Sequence, residues 1–424
     1  LNKLSQMRVT PLKAGHRLQS MINILIKDQQ DILKMNDFIF NTTPSIRQIM
    51  GGAAKLGDLI KDLQIEQTNN PVFFVTDPGI MSLGLADLAL DNLKSGGIDV
   101  TLFDEVSADP SAKSVLEAAK LAQDKGCHCV IGFGGGSSMD VAKMVALLAK
   151  SDQPLDDMYG VNMVTGSRLP LILVPTTSGT GSEVTGISIL TTGTAEKKGV
   201  VSSKILPDIA LLDAELTLGL PPHVTAATGV DAMVHAIEAY TSKSANNNPM
   251  SKMLALNALD LLGANIRTAV FEGDNKIARA NMLLGSMMAG QAFANSPVAA
   301  VHALAYPVGS LFHVPHGLSN AFVLQNVMRF NADVCAKEYA ELAPHVFPDI
   351  NLNQDTSLIA AEFIERLGNL NIELGLQAGL RQVGINENDI EKLATDAMNQ
   401  TRLLINNPRE VTYEDAVQIY RDSL

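Results

Sequence analysis

The stretch CHCVIGFGGGSSMDVAKMVALLAK, residues 127–150, reads as a buried strand, a glycine turn and a helix. CHCVIGF is a short apolar run ended by glycines, the pattern of a strand covered on both faces. Gly134-Gly135-Gly136 lets the backbone approach a ligand closely, and the helix that follows offers free N–H groups and the positive end of its dipole. A pyrophosphate suits that environment. The contiguous glycines depart from the G-x-G-x-x-G fingerprint, and a Gly-rich strand-to-helix turn also serves purely structural ends. Cys127 and Cys129 alternate along the strand and read as core filling, because no second Cys pair accompanies them.

The flanking segments repeat the pattern. Upstream, NPVFFVTDPG reads as a buried strand, Asp77-Pro78 opens a helix to about Leu93, IDVTLFDEV is a second strand and Ser111–Asp124 a second helix. Downstream, LPLILVPTTSGTGSEVTGISIL is a strand, a polar loop and a further strand. Strands alternating with helices predict a parallel sheet with crossover helices. Thr176, Thr177, Ser178, Thr180 and Ser182 place hydroxyls beyond the carboxyl end of a strand, where ligands bind in open α/β sheets. No G-K-[ST] follows either loop, which disfavours nucleoside triphosphate hydrolysis. After Leu211-Leu212-Asp213 the periodicity becomes helical: Val224–Ser242, Pro249–Ile266, Asn275–Phe293, Val298–Val308, and three or four helices beyond Asn320. The expected organisation is an extension over 1–37, an α/β domain over 38–213 and an all-helical domain over 214–424.

Within the helical half, TGVDAMVHAIEAY puts Asp231 and His235 one turn apart on one helix face. Alone, such a pair is commonly an ordinary helix-surface pair. VHALAYPVGSLFHVPHG adds His302 and His316, separated by a Pro/Gly-broken segment that must fold back to meet the first pair. One carboxylate and three imidazoles suit Fe²⁺, Zn²⁺, Mn²⁺ or Ni²⁺ and leave a cationic Lewis acid. A bound dinucleotide beside such an ion points to hydride transfer, with the metal polarising an alcohol oxygen.

The chain has 424 residues, 46% of them hydrophobic, enough for a large core and two domains, and a net charge of −13 that disfavours nucleic acid and anionic membranes as partners. Three cysteines argue against a disulfide framework and for a reducing, cytoplasmic setting. No apolar run reaches the roughly 18–20 residues of a membrane span. The first 27 residues carry Lys3, Arg8, Lys13, Arg17 and Lys27 without an acid, like a transit peptide in charge, but lack a signal-peptide core. His16–Met35 reads as an amphipathic helix that packs on the body or on a neighbouring subunit.

GGGSSMDVAK, PTTSGTGSEVT, LPPHVTAATGVDAMVHAIEAY and HALAYPVG followed by PHG together resemble the iron-containing (group III) alcohol dehydrogenases, from about Phe38 to the C-terminal helices. The resemblance implies a Rossmann-like dinucleotide-binding domain joined to an all-α metal-binding domain, a dehydroquinate synthase-like fold with the active site between them. It implies metal ligation by Asp231, His235, His302 and His316. It places cofactor contacts at Gly135, Gly136 and Ser137, with Asp140 behind them, and at Thr176, Thr177, Thr185 and Lys197; for the last, Lys198 is the alternative. Asp77 matches an acidic residue that receives the adenosine ribose hydroxyls, favouring NAD over NADP; its plain reading is a helix N-cap, and the two roles can coexist. Three features depart from the family pattern. Tyr306 replaces a His often assigned to proton transfer and is a poorer base, leaving His313 as a relay or, more plainly, a pocket wall. Asp109 replaces a common Asn, and the N-terminal extension is unusual. The implied activity is NAD-dependent alcohol–aldehyde interconversion by a homo-oligomer. The rivals are a hydroxyacid–oxoacid transhydrogenase or a 4-hydroxybutyrate or diol dehydrogenase of the same fold, and a non-catalytic filament-forming relative.

Overall fold

Strands β1 (Ser45–Gln48), β2 (Val72–Val75), β3 (Val100–Phe103), β4 (Cys129–Gly134), β5 (Gly160–Val161), β6 (Leu171–Pro175), β7 (Ile187–Thr192), β8 (Glu196–Val201) and β9 (Ile209–Leu212) all precede residue 213. These come from a computed structural model, which describes residues 37–63, 70–193 and 196–424. The helix expected over His16–Met35 lies outside the described residues. Six strands form a parallel sheet in the order β1-β9-β6-β4-β2-β3. VFFV of β2, CVIGFG of β4, LILVP of β6 and IALL of β9 are buried throughout, which is why they carry continuous apolar runs rather than alternation.

Helices α1 (Leu56–Asp62), α2 (Pro78–Ser82), α3 (Asp87–Ser95), α4 (Ala112–Asp124) and α5 (Gly136–Leu148) cover the sheet. Leu56 of α1 and Leu93 of α3 pack on one face with Phe74, Ile131 and Ile172. Val115 of α4 and Met139 of α5 pack on the other with Phe73, Val130 and Leu173. The chain order therefore reverses between β2 and β4, and a crevice opens beyond their carboxyl ends, where doubly wound folds bind ligands. Asp77 follows β2, and the glycine turn follows β4.

Sequence and structure differ locally. The helix expected from Asp77 to Leu93 is two helices, broken at Gly84 (φ +67), a backbone angle that suits glycine. SIRQ of β1 and EKKGVV of β8 were not anticipated as strands. The first is a partly exposed edge strand and the second the polar half of an antiparallel hairpin with β7, so neither has the apolar signature. Cys127, Cys129 and Cys335 are buried and free.

Beyond 213 the described residues contain helices and no strands: α6 (Pro222–Thr241), α7 (Pro249–Phe271), α8 (Lys276–Asn295), α9 (Ala300–Phe312), α10 (His316–Val346), α11 (Thr356–Glu373), α12 (Ile390–Met398), α13 (Thr401–Leu404) and α14 (Tyr413–Asp422). Helix α9 runs on through Pro307 to Phe312, further than Val308, and α10 begins at His316 itself. Helix α7 is long and apolar enough to span a membrane, but it is packed among other helices; a Cβ on Gly263 would stand 2.8 Å from Val346 Cα of α10.

The α/β and helical parts meet through main chain. Gly181 (φ +59) sits so close to α8 that a Cβ on Gly290 would lie 2.8 Å from the Gly181 Cα, and Val184, Leu212, Leu283 and Met287 close the seam. Gly290→Val is expected to lower the unfolding free energy by about 1–3 kcal/mol, because backbone cannot move aside as a side chain can. Gly219→Ala, at a position with open space, serves as the control in the same thermal melt. Equal losses in the two variants would contradict the backbone contact.

Candidate metal centre

Helix α6 is buried along most of its length and is built largely of small residues, so neighbouring helices come close to it. A Cβ on Gly317, in the first turn of α10, would stand 2.3 Å from Ala227 O, and this approach carries His316 over α6. His302 arrives from α9. One ligand atom from each of Asp231, His235, His302 and His316 lies within 4.8 Å of every other. His302 Nε2 is 3.9 Å and His316 Nε2 3.7 Å from Asp231 Oδ1. The imidazole of His235 stacks on that of His302 at 4.6 Å and on the Phe293 ring at 4.3 Å.

The second nitrogen of two rings is engaged elsewhere. His302 Nδ1 is 2.6 Å from Glu238 Oε2, and the other Glu238 oxygen accepts from Val301 N at 2.7 Å. His235 Nδ1 is 3.2 Å from Gly179 O, which belongs to the polar loop after β6. With each Nδ1–H donating to its oxygen acceptor, both Nε2 lone pairs are left for the cluster. Burial pushes the His235 imidazole down to about 3, so it is neutral, as a ligand must be. Burial also raises the Asp231 carboxyl, but His235, His316, His302 and the Asn320 amide outweigh it and hold it below its ordinary value. Asn320 donates from Nδ2 to Asp231 Oδ1 at 2.6 Å and stands 3.3 Å from both His302 Nε2 and His316 Nε2. Its Oδ1 is buried without a partner. Three imidazoles and one carboxylate converging at a largely buried point, with His316 open to solvent, fit a borderline divalent cation.

Glu238 and Asn320 escaped the sequence reading. Both were within reach of it, since Glu238 lies three residues after His235 and Asn320 four after His316, helical spacings that share a face.

The residues expected at the cofactor fall into two groups. Asp77 caps α2 by accepting from Ile80 N at 3.1 Å, and its other oxygen accepts from Ser138 Oγ at 3.2 Å beside the glycine turn. Gly135 is the N-cap of α5, Gly136 its first residue, and Ser137 donates to Ala108 O at 2.5 Å. Thr176 N donates to Gly134 O, and the Thr177 hydroxyl approaches Gly135, so the two loops adjoin. Asp140 and Thr185 sit in a buried network instead. Fully buried Lys143 donates to Asp140, Ser182, Thr185 and the Ile187 carbonyl, and Asp140 also accepts from Ser182 Oγ and Ile189 N. Lys197 and Asp109 meet as an ion pair that joins the hairpin to the loop after β3. Lys198 pairs with Glu196.

Tyr306 lies a turn beyond His302, its ring 5.8 Å from that of His316. Burial raises its phenol pKa, against the neighbouring Arg402, so it remains a protonated donor. His313 closes α9 in the left-handed region (φ 55), is exposed, and makes no hydrogen bond or ring contact with the four clustered side chains.

Residues 44–214 match the family model described as iron-containing alcohol dehydrogenase, and residues 225–424 match that of the Fe-containing alcohol dehydrogenase family, C-terminal. The chain is 36% identical to a sulfoacetaldehyde reductase of Bilophila wadsworthia over 389 residues, covering 90% of this chain and 98% of that protein. A crystal structure of 1,3-propanediol oxidoreductase superposes with a TM-score of 0.87 at 31% identity, over 92% of this chain and all of the other. That of a sulfoacetaldehyde reductase from Bifidobacterium kashiwanohense in complex with NAD⁺ gives 0.79 at 28%, over 91% and 98%.

Glu238→Gln keeps the shape beside His302 but removes the charge. Divalent-metal affinity, measured by competition with a chelator, is expected to fall by about tenfold or more. Unchanged affinity would remove Glu238 from any part in holding the ligand set.

Proposed function

Because the chain belongs to the iron-containing alcohol dehydrogenase family, we propose that it interconverts alcohols and aldehydes with NAD and one divalent cation, iron, held by Asp231, His235, His302 and His316. The observation that carries the reading is the convergence of those four donors, three buried and His316 exposed, within 4.8 Å of one another. When bound, the cation supplies Lewis acidity toward the substrate oxygen and the nicotinamide supplies the hydride acceptor.

The chain's own residues bind and orient. The N–H groups at Gly135, Gly136 and Ser137, at the start of α5, receive the pyrophosphate. Asp77 receives the adenosine ribose, and its charge opposes a 2′-phosphate, which selects NAD. Thr176 and Thr177 contact the cofactor across the adjoining loop. Asp140 and Thr185 act through the Lys143 network, which fixes the loop's shape. Lys197 with Asp109 bounds the crevice on the hairpin side. Tyr306 orients substrate as a hydrogen-bond donor; its raised phenol makes it unsuited to act as a base. His313 belongs to the pocket wall.

Residues 38–213 serve as the dinucleotide half and 214–424 as the metal half. A cytoplasmic, homo-oligomeric enzyme accords with three buried free cysteines and with an acidic surface. A filament role would leave the converged donors without a purpose. The rival that an observation favours is a hydroxyacid–oxoacid transhydrogenase or hydroxy-acid dehydrogenase, since Arg402 stands beside Tyr306. Activity without added NAD would mark the transhydrogenase.

Wild-type protein is expected to hold one divalent ion per chain and to reduce NAD with primary alcohols from a chain-length panel. His302→Ala is expected to lose both. Undiminished NAD reduction by His302→Ala would overturn the metal mechanism.

A further inference from the structure

Among the described residues, Arg402 is a cation at the site for which no carboxylate is at hand. It is the second residue of α13, a short helix packed against α9, and it is exposed. Its guanidinium stands by the Tyr306 side chain, whose ring neighbours that of His316. One guanidinium nitrogen lies 3.9 Å from where a Cβ on Gly199 of β8 would stand. Arg402 thus lies between Tyr306 of the helical part and the hairpin of the α/β part. Arg47, Arg168, Arg267, Arg329, Arg366, Arg409 and Arg421 each have a carboxylate within ion-pair distance; Arg402 has none. Lys197 cannot stand in for it, because it is taken by Asp109 and Thr191.

A guanidinium without a carboxylate partner near a reaction centre is a fork whose remaining N–H donors match a planar or tetrahedral oxyanion. A chain with a net charge of −13 repels anions at long range, so an anionic substrate needs a local cation of this kind. We propose that Arg402 receives the anionic end, carboxylate or sulfonate, of a short hydroxy acid or its aldehyde while the substrate oxygen faces the metal ligands. The proposal rests on the alcohol dehydrogenase reading and names the substrate class of that site. Arg402 is then a specificity-determining residue, distinct from the groups that assist hydride transfer.

The test compares substrates matched in chain length. Metal-loaded wild type, Arg402→Gln and Arg402→Lys are assayed with NAD on 4-hydroxybutyrate against 1-butanol, and on isethionate against 1-propanol. Wild type is expected to favour at least one anionic member by tenfold or more, and the pair in which it does so tells carboxylate from sulfonate. Arg402→Gln is expected to lose about ten- to hundredfold more on that anionic substrate than on its neutral partner, mainly through KM. Arg402→Lys recovers part of the loss. Calorimetric binding of the same four compounds repeats the comparison without turnover. Wild type indifferent to charge, or Arg402→Gln affecting both members of a pair alike, overturns the proposal. Absence of NAD-linked turnover on every compound refutes the dehydrogenase reading, and the binding comparison still decides Arg402.

Discussion

Four electron-pair donors turned toward one buried point repel one another unless a cation sits among them. Much of the molecule answers that constraint. Glu238 and the Gly179 carbonyl fix which nitrogen of His302 and His235 faces inward. Asn320 steadies the Asp231 carboxylate. The absence of a side chain at Gly317 lets the start of α10 ride against α6, which brings His316 within reach. Imidazoles from three different helices can converge only because the backbones between them lie so close.

The polar loop after β6 serves both halves of the site. Thr176 and Thr177 lie beside the glycine turn, while three residues later Gly179 anchors a metal-site imidazole and Gly181 presses on α8. Lys143 ties the same loop to α5 and to β7 from inside the protein. The glycine turn and the His235 imidazole are therefore linked through one short segment. Hydride transfer is sensitive to small displacements, so a rigid link of this kind has a direct chemical use.

The sequence disclosed those parts of the fold that bury apolar surface at a regular period. β2, β4 and β6 are continuous apolar runs, and α6 to α9 repeat at helical spacing. It was silent where a strand is polar, as in β1 and β8, since pairing with a neighbouring strand rather than an apolar run makes them strands. The four candidate ligands were legible because Asp and His in an otherwise apolar helical setting need a reason. Asp140 and Thr185 sit behind the loop in a buried lysine's network, which no spacing rule reveals. Arg402 was invisible for a related reason: only tertiary structure brings the start of α13 to Tyr306.

The Gly181–Gly290 contact bears on how such a molecule can change. Main chain meets main chain there, so no residue exists to be trimmed on one side when the other grows. Innovation is pushed outward, to exposed side chains such as the one at 402, whose replacement leaves that contact alone. A catalyst arranged this way can acquire a new appetite while its inner works stay untouched.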